Sequence, residues 1–539
     1  MSASTEQTDY SNQQALVAAL QDGHRFPHAA QSVRLVETHI SWVLLAGRYA
    51  YKIKKAVDLG FLNFTNLEDR RFYCSEEVRL NRRLAPKIYL DVVPIGGTPG
   101  RPEFGAQPAI EYAVRMRRFA TSNELDHLLE RGKLMPQHMD RLAATLALFH
   151  GGLPRAQADS PFGAAAAIRA AAMQNFEQML SLLAAQADRD AVTAVKRSTE
   201  HAYTACEKYF SRRHAQGYVR ECHGDLHLGN VVLIGEQPVP FDGIEFNPAL
   251  RWIDVMDEVA FLAMDLLHGK RADLAFRFLN AYLEATGDYA GMAVLRFYLA
   301  YRAAVRAKVS AIRVFQPGQS RNVRDCELAS WRDYLALAGE CLAQRRSALI
   351  ITHGLPGSGK SAFARAAVER LQAIRIRSDV ERKRLFGLRP LDDSRSAAGA
   401  GIYSAEATQR TYARLHELAH DLLDAGFPVI VDAAFLRQDE REQFYQLALK
   451  MSVPFVIASR TASTEILSAR IMRRHQAASD ASEADIGVLH MLQATQQPLQ
   501  PQELMRTVEF LNDAEHGGIS ADAASWGRLD ELLGAAGIA

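Results

Sequence analysis

Eight consecutive residues, Gly354-Leu355-Pro356-Gly357-Ser358-Gly359-Lys360-Ser361, combine three kinds of chemistry in one short run. Glycines let backbone N–H groups wrap phosphate oxygens, a lysine reaches the β- and γ-phosphates, and a serine hydroxyl can hold Mg²⁺. The pattern is G-x-x-x-x-G-K-[ST], a phosphate-binding loop. It makes Gly354, Gly357, Ser358, Gly359, Lys360 and Ser361 the candidate nucleotide cradle, with Ser361 also a metal ligand. The apolar run Ala348–Ile351 before it predicts a buried strand, and Ala362–Leu371 after it predicts a helix. The N-terminus of that helix would add positive potential at the phosphates. A second strand, Val429-Ile430-Val431, ends in Asp432, a further candidate metal ligand.

A separate constellation lies earlier. His223-Gly224-Asp225-Leu226-His227-Leu228-Gly229-Asn230 reads H-x-D-x-x-x-x-N, the spacing of a protein-kinase catalytic loop. Strand-like Val231–Ile234 and Val239–Phe241 lead into Asp242-Gly243, with Asp242 placed 242−225=17 residues beyond Asp225. Asp225 would accept or orient the proton of an attacking hydroxyl, while Asn230 and Asp242 hold Mg²⁺ against the phosphates of ATP. His223 is expected to order the loop. Such a site also needs a strand lysine paired to a helix glutamate. The strand Tyr49–Lys55 offers Lys52 and Lys54, which share a face by period two, so parity does not separate them. Lys52 is preferred as nearer the strand centre. Glu76 and Glu77 are the candidate partners.

The first half, over roughly residues 35–315, resembles the aminoglycoside-phosphotransferase and choline-kinase-like family, on the H-G-D-x-x-x-x-N form of its loop. That resemblance implies a two-lobed α+β kinase-like fold and favours Glu77 over Glu76 by spacing. It also makes Asp254 and Asp257 structural braces of the loop. No G-x-G-x-x-G precedes the hairpin, and no A-P-E follows the loop. The second half, about 346–515, resembles P-loop kinases of the polynucleotide-kinase, gluconate-kinase and zeta-toxin-like group. In Ser378-Asp379-Val380-Glu381-Arg382 the resemblance implies that Asp379 activates an acceptor hydroxyl while Arg382, three residues on, steadies phosphate. It further implies that Arg470 and Arg474, on one helix face, clamp the transferring phosphoryl group from a lid.

These groups need elements to hold them. A hairpin of Ser41–Leu45 and Tyr49–Ile53, closed by Ala46-Gly47-Arg48, is followed by a helix over Arg70–Leu84. Helical periodicity runs from Met135 to Arg213, short strands occupy 219–246, and helices return to about Gln344. From Ser347 onward strands and helices alternate, as in a parallel α/β sheet. The expected domains are an extension over 1–34, a kinase-like domain over 35–315, a helical linker over 316–345 and a P-loop domain over 346–539.

Composition sets the outer bounds. The 539 residues exceed one core, and 48% hydrophobic with 23% charged residues is ordinary for globular chains. Residues 346–539 carry 22 Lys+Arg against 24 Asp+Glu, net −2, leaving 41 against 38, net +3, elsewhere. Neither half has the basic excess of a long-nucleic-acid binder. Within that neutral background, Arg375, Arg377, Arg382, Lys383, Arg384 and Arg389 crowd around Asp379, which suggests an anionic acceptor. Five cysteines without a C-x-x-C pair, no signal-like N-terminus and no long apolar run point to the cytoplasm and away from membranes. The reading is a bifunctional ATP- and Mg²⁺-dependent phosphotransferase, each half phosphorylating a small hydroxylated substrate. Its alternatives are that one half senses ATP to regulate the other, or that the P-loop half is a nucleic-acid 5′-hydroxyl kinase.

Overall fold

The computed structural model describes residues 2–60, 62–315, 320–343, 347–394, 396, 400–477, 481–511 and 523–534. The chain divides into two compact units, Met1–Ala171 with Phe210–Asp265, and Ala172–Tyr209 with Leu266–Ala539. The expected boundary at Arg345 lies outside the described residues. Among them, no helix is long and apolar enough to cross a membrane.

The first unit is built on β1 (Val33–Glu37), β2 (Ser41–Ala46), β3 (Tyr49–Lys54), β4 (Tyr89–Thr98), β5 (Arg101–Phe104) and β6 (Glu111–Arg117). They form one sheet in the order β1-β2-β3-β6-β4-β5, with every neighbouring pair antiparallel. The expected hairpin is β2–β3, where Ala46 faces Tyr49 across the Gly47-Arg48 turn. The following helix is Leu67–Asn81. It begins earlier than its apolar pattern because the Asn66 side chain caps it by accepting from Glu68 N–H. Its Cys74 and Val78 pack with Ile88, Tyr89 and Val114 of the β4 and β6 region.

Residues 1–34, expected as an extension, contribute to this core. Helix Ser2–Ala19 places Leu16 and Val17 against Trp42, Leu44 and Tyr51. Gln13 Nε2 donates to Lys54 O at 3.0 Å, so the first helix also steadies β3. Two short ladders complete the unit: β7 (Val219–Glu221) pairs with β10 (Trp252–Asp254), and β8 (Val231–Ile234) pairs with β9 (Gln237–Pro240).

In the second unit a wholly parallel sheet is formed by β11 (Leu349–His353), β12 (Ile374–Arg377), β13 (Val429–Asp432), β14 (Phe455–Thr461) and β15 (Thr507–Leu511). Its order is β12-β13-β11-β14-β15. The chain crosses to one side of β11 and then to the other, so the C-terminal end of β11 is a topological switch point, where such sheets bind ligands. The architecture is the expected one: N-terminal α+β kinase-like lobes, then a C-terminal parallel-sheet P-loop NTPase-like domain.

Helices Ala272–Thr286, Met292–Val314 and Arg321–Leu342 group with this parallel sheet. From the first of them, Asn280 accepts from Arg375 N–H at 2.6 Å and donates to Ala373 O at 2.9 Å. It thereby covers the open edge of β12.

Candidate functional site

In the first unit, β3 supplies both lysines and the helix Leu67–Asn81 supplies Glu77. Lys52 Nζ lies 2.9 Å from Glu77 Oε1 and 2.6 Å from Asp242 Oδ1. Lys54 Nζ lies 2.7 Å from Glu77 Oε2 and also pairs with Glu245. Glu77 therefore bridges two lysines. Burial raises its carboxyl pKa, but the two ammonium groups outweigh burial and hold it down at about 2. Burial pushes Glu245 up, and with Glu77 repelling it Lys54 and Lys52 do not bring it back down, so it stays above the usual carboxylate range. Burial disfavours charge on Lys52, yet Asp242, Glu77 and Glu245 keep its pKa well above the ordinary lysine value.

Burial and partners differ between the two lysines. Lys54 is fully buried between two carboxylates, whereas Lys52 is about one-tenth exposed beside Asp242, whose side chain is 44% exposed. Glu76, the alternative partner, points instead to Arg79 at 2.8 Å.

The loop His223–Asn230 is held from beneath. Glu258 Oε2 accepts from His223 N–H at 2.7 Å and from Gly224 N–H at 2.8 Å, while its Oε1 meets His150 Nε2 at 3.0 Å. Leu228 N–H donates to Asp265 at 2.9 Å. Glu258 and Asp265 thus brace the loop, and buried Asp254 binds Arg213 at 2.7 Å. Gly224 has φ 89°, and a Cβ there would lie 2.6 Å from Leu250 O, which explains glycine after the histidine. His223 Nε2 contacts Phe241 O at 2.8 Å, an ordering role as expected. Burial lowers its pKa.

Asn230 Nδ2 donates to Asp225 O at 2.9 Å and to Asp225 Oδ2 at 3.0 Å. Asp242 has φ 63°, left-handed backbone that Asp tolerates. That turn is fixed because Asp242 N–H donates to Tyr89 Oη at 3.1 Å and Gly243 N–H to Asn81 Oδ1 at 2.8 Å. Two lysines, Lys52 and Lys54, thus stand among three carboxylates, Glu77, Asp242 and Glu245, and Asn230 ties Asp225 to the same loop. An oxygen-rich set with that charge balance fits Mg²⁺. Asn230 and Asp242 would hold the cation.

In the second unit the loop 354–361 joins β11 to the helix Lys360–Leu371. Gly354 has φ 140°, and a Cβ there would meet Arg460 O at 2.3 Å. Lys360 Nζ donates to Gly354 O at 2.8 Å and Leu355 O at 2.9 Å, placing the ammonium inside the loop. Asp432 ends β13, the strand hydrogen-bonded to β11, and its buried Oδ2 has no hydrogen-bond partner among the described residues. An acceptor without a hydrogen bond at that place is the kind of oxygen a hydrated Mg²⁺ takes. From helix Thr464–Ala477, Arg470 Nη1 donates to Gly357 O at 3.3 Å. The Arg474 side chain lies outside the described residues. Sequence reasoning missed Arg460, which is buried in β14. Burial, then Arg470, lower its pKa to about 10.

Asp379 and Arg382 both lie near the Tyr403 ring. Arg382 is buried and donates to Ile402 O at 2.9 Å and Thr408 Oγ1 at 3.1 Å, with its guanidinium over the Tyr403 ring. Burial and then Asp379 raise the Tyr403 hydroxyl pKa, which places that ring near Asp379 as well. The surrounding basic cluster is paired: Arg375 and Arg377 with Glu284, Lys383 with Glu483, Arg384 with Glu381 and Arg389 with Asp392. Part of the local positive excess is thus met by distant carboxylates, Glu284 and Glu483, while Glu381 and Asp392 lie three residues from their arginines.

His353, the last residue of β11, meets Ser459 Oγ at 3.0 Å. Burial, then Arg441 and Lys360, lower its pKa to about 4. A folded-state pKa below the unfolded value means that the unfolded chain takes the proton first. Stability is therefore full above about pH 6.5 and falls as pH drops towards 4, by at most about 3 kcal/mol. Urea unfolding followed against pH should show this fall, and His353→Gln should flatten it.

Residues 349–499 match the family model described as AAA domain. Over 450 residues the chain is 30% identical to Uncharacterized protein Rv2004c of Mycobacterium tuberculosis (strain ATCC 25618 / H37Rv), covering 83% of this chain and 87% of that one. Among solved structures, a choline/ethanolamine kinase family protein from Mesorhizobium loti is 16% identical, with 61% and 98% of the two chains covered and a TM-score of 0.36. A gluconokinase from Sinorhizobium meliloti 1021 is 19% identical, with 35% and 97% covered and a TM-score of 0.26. Scores this low add no weight to either site. At 30% identity over that coverage, this chain belongs to the same family as protein Rv2004c of M. tuberculosis.

Proposed function

We propose that the protein is an ATP- and Mg²⁺-dependent phosphotransferase with two centres, each passing a γ-phosphoryl group to a hydroxyl of a small molecule. The observation that carries this reading is Lys52 Nζ, which touches Glu77 of one element and Asp242 of another 190 residues away. It joins the phosphate-binding lysine to a metal-ligand aspartate next to the loop bearing Asp225.

In the first centre Lys52 contacts the α- and β-phosphates and Glu77 orients it. Lys54, held by Glu77 and Glu245, fixes the glutamate. Mg²⁺, when bound by Asn230 and Asp242, supplies charge neutralisation to the triphosphate. Asp225 receives the acceptor hydroxyl's proton as the oxygen forms its bond to the γ-phosphorus. The bond from that phosphorus to the β–γ bridging oxygen breaks, and ADP leaves with that oxygen. In the second centre the 354–361 loop and Lys360 hold the phosphates, Ser361 and Asp432 hold Mg²⁺, and Asp379 accepts the acceptor proton. Arg470 stabilises the transferring group, with Arg474 on the same helix as a second candidate. Arg382 organises the segment around Ile402 instead of binding the acceptor.

The test is an ADP-release screen over hydroxylated metabolites, run on the intact protein and on Asp225→Ala and Lys360→Ala. Acceptors that stimulate ADP release should divide into two sets, one lost with each substitution. No stimulation by any acceptor across sugars, amino alcohols, nucleosides and aminoglycosides would count against it.

A further inference from the structure

Helix Ala272–Thr286 lies outside the segment 349–499 that matches the AAA domain, yet it sends a carboxylate to that segment. Glu284 Oε2 accepts from Arg375 Nη2 at 2.9 Å, and Oε1 accepts from Arg377 Nη1 at 2.7 Å. Its main-chain oxygen accepts from Arg384 Nη2 at 2.5 Å. Burial alone would raise the Glu284 pKa, but Arg377 and Arg375 outweigh burial and lower it, so the group is an anion.

The other end of Arg375 faces the P-loop metal site. Arg375 Nη1 is 4.0 Å from Asp432 Oδ2, too far for a hydrogen bond. Both atoms are buried, and neither has a hydrogen-bond partner among the described residues. A donor and an acceptor left apart at this range would gain by closing about 1 Å. What restrains the guanidinium is its bond to Glu284 at the opposite nitrogen, together with the Asn280 bond to the Arg375 main chain.

We propose that Glu284 is a positioning residue for the P-loop centre: by holding Arg375 back, it leaves the Asp432 carboxylate available to Mg²⁺. This rests on the reading that the second unit binds Mg²⁺-nucleotide. Neutralising Glu284 frees the guanidinium to pair with Asp432, and the cation must then compete with that pair. The P-loop centre is thus completed by a residue that lies 354−284=70 positions ahead of its loop.

The experiment uses the full chain carrying Asp242→Ala, so that Mg²⁺-dependent ATP binding reports the P-loop centre. Binding is followed by calorimetry at a series of Mg²⁺ concentrations. Glu284→Gln should raise the Mg²⁺ concentration for half-maximal ATP binding about tenfold, the scale of one released charge near a carboxylate. Adding Arg375→Gln to it should bring that concentration back to within about twofold of the parent, because the competing cation is gone. Arg375→Gln alone should not raise it. A purely architectural role predicts the opposite, since the double variant would be impaired at least as much as the single. An unchanged Mg²⁺ requirement in Glu284→Gln, or no recovery in the double variant, overturns the proposal. Should Glu284→Gln fail to fold, the double variant decides alone: a parent-like Mg²⁺ requirement supports the proposal and a raised one overturns it. Lys360→Ala in the same background separates the two levels. If it leaves Mg²⁺-dependent ATP binding intact, the P-loop reading has failed.

Discussion

Asp225→Ala should lower acceptor-dependent turnover at the first centre by about 10²–10⁴-fold, the usual contribution of a positioned general base. ATP affinity should change little, because Lys52, Asn230 and Asp242 remain. The geometry makes the substitution clean. Asp225 accepts a side-chain hydrogen bond from Asn230 and lies 3.6 Å from His227 Nε2, while the loop backbone is anchored separately by Glu258 and Asp265. Removing the carboxylate therefore takes away a proton acceptor without unseating the loop. Asp242→Ala should behave differently and weaken Mg²⁺-dependent nucleotide binding. Full turnover in Asp225→Ala, measured on an acceptor whose use requires Asp242, would remove it from the proposed role.

Lys54→Met should destabilise the first unit by about 3–5 kcal/mol, because it leaves buried charge uncompensated. Glu77 and Glu245 are both almost wholly inaccessible, and Lys54 is the cation between them. Without it the acids must remain charged at high cost or take up protons. Lys52→Met should cost only about 1 kcal/mol, since Glu77 keeps Lys54 and the half-exposed Asp242 can be solvated. In exchange it should lose ATP affinity, which Lys54→Met would lose only through misfolding. Urea titrations of the two variants, read together with ATP binding, test this division. Equal destabilisation would mean that burial does not distinguish the two lysines.

What was legible in the sequence divides along physical lines. The loop at 354–361, the register of Asp225, Asn230 and Asp242, and the β2–β3 hairpin are local patterns, set by short-range turn and strand geometry. Each appears where its spacing put it. Lys52 and Lys54 could not be separated because a strand repeats every two residues. Asp242 and Glu245, arriving from 190 and 191 residues away, give the two lysines different partners. Likewise His150 and Glu258 meet across 108 residues, and no motif marks either as a brace of the catalytic loop. Charge counted along the window 375–389 omits partners outside it: Glu284 is 91 residues from Arg375. Arg382 shows the same limit, since its spacing from Asp379 matches a known pattern while its Nη1 donates to Ile402 O and Thr408 Oγ1, from segments 20 and 26 residues away.

The central claim is two independent nucleotide centres in one chain, and calorimetric titration of the intact protein with ATP in the presence of Mg²⁺ tests it most directly. The account predicts close to two equivalents bound per chain, falling to about one in Lys360→Ala with the remaining affinity unchanged. A stoichiometry of one in the unsubstituted protein, or two in Lys360→Ala, would contradict it.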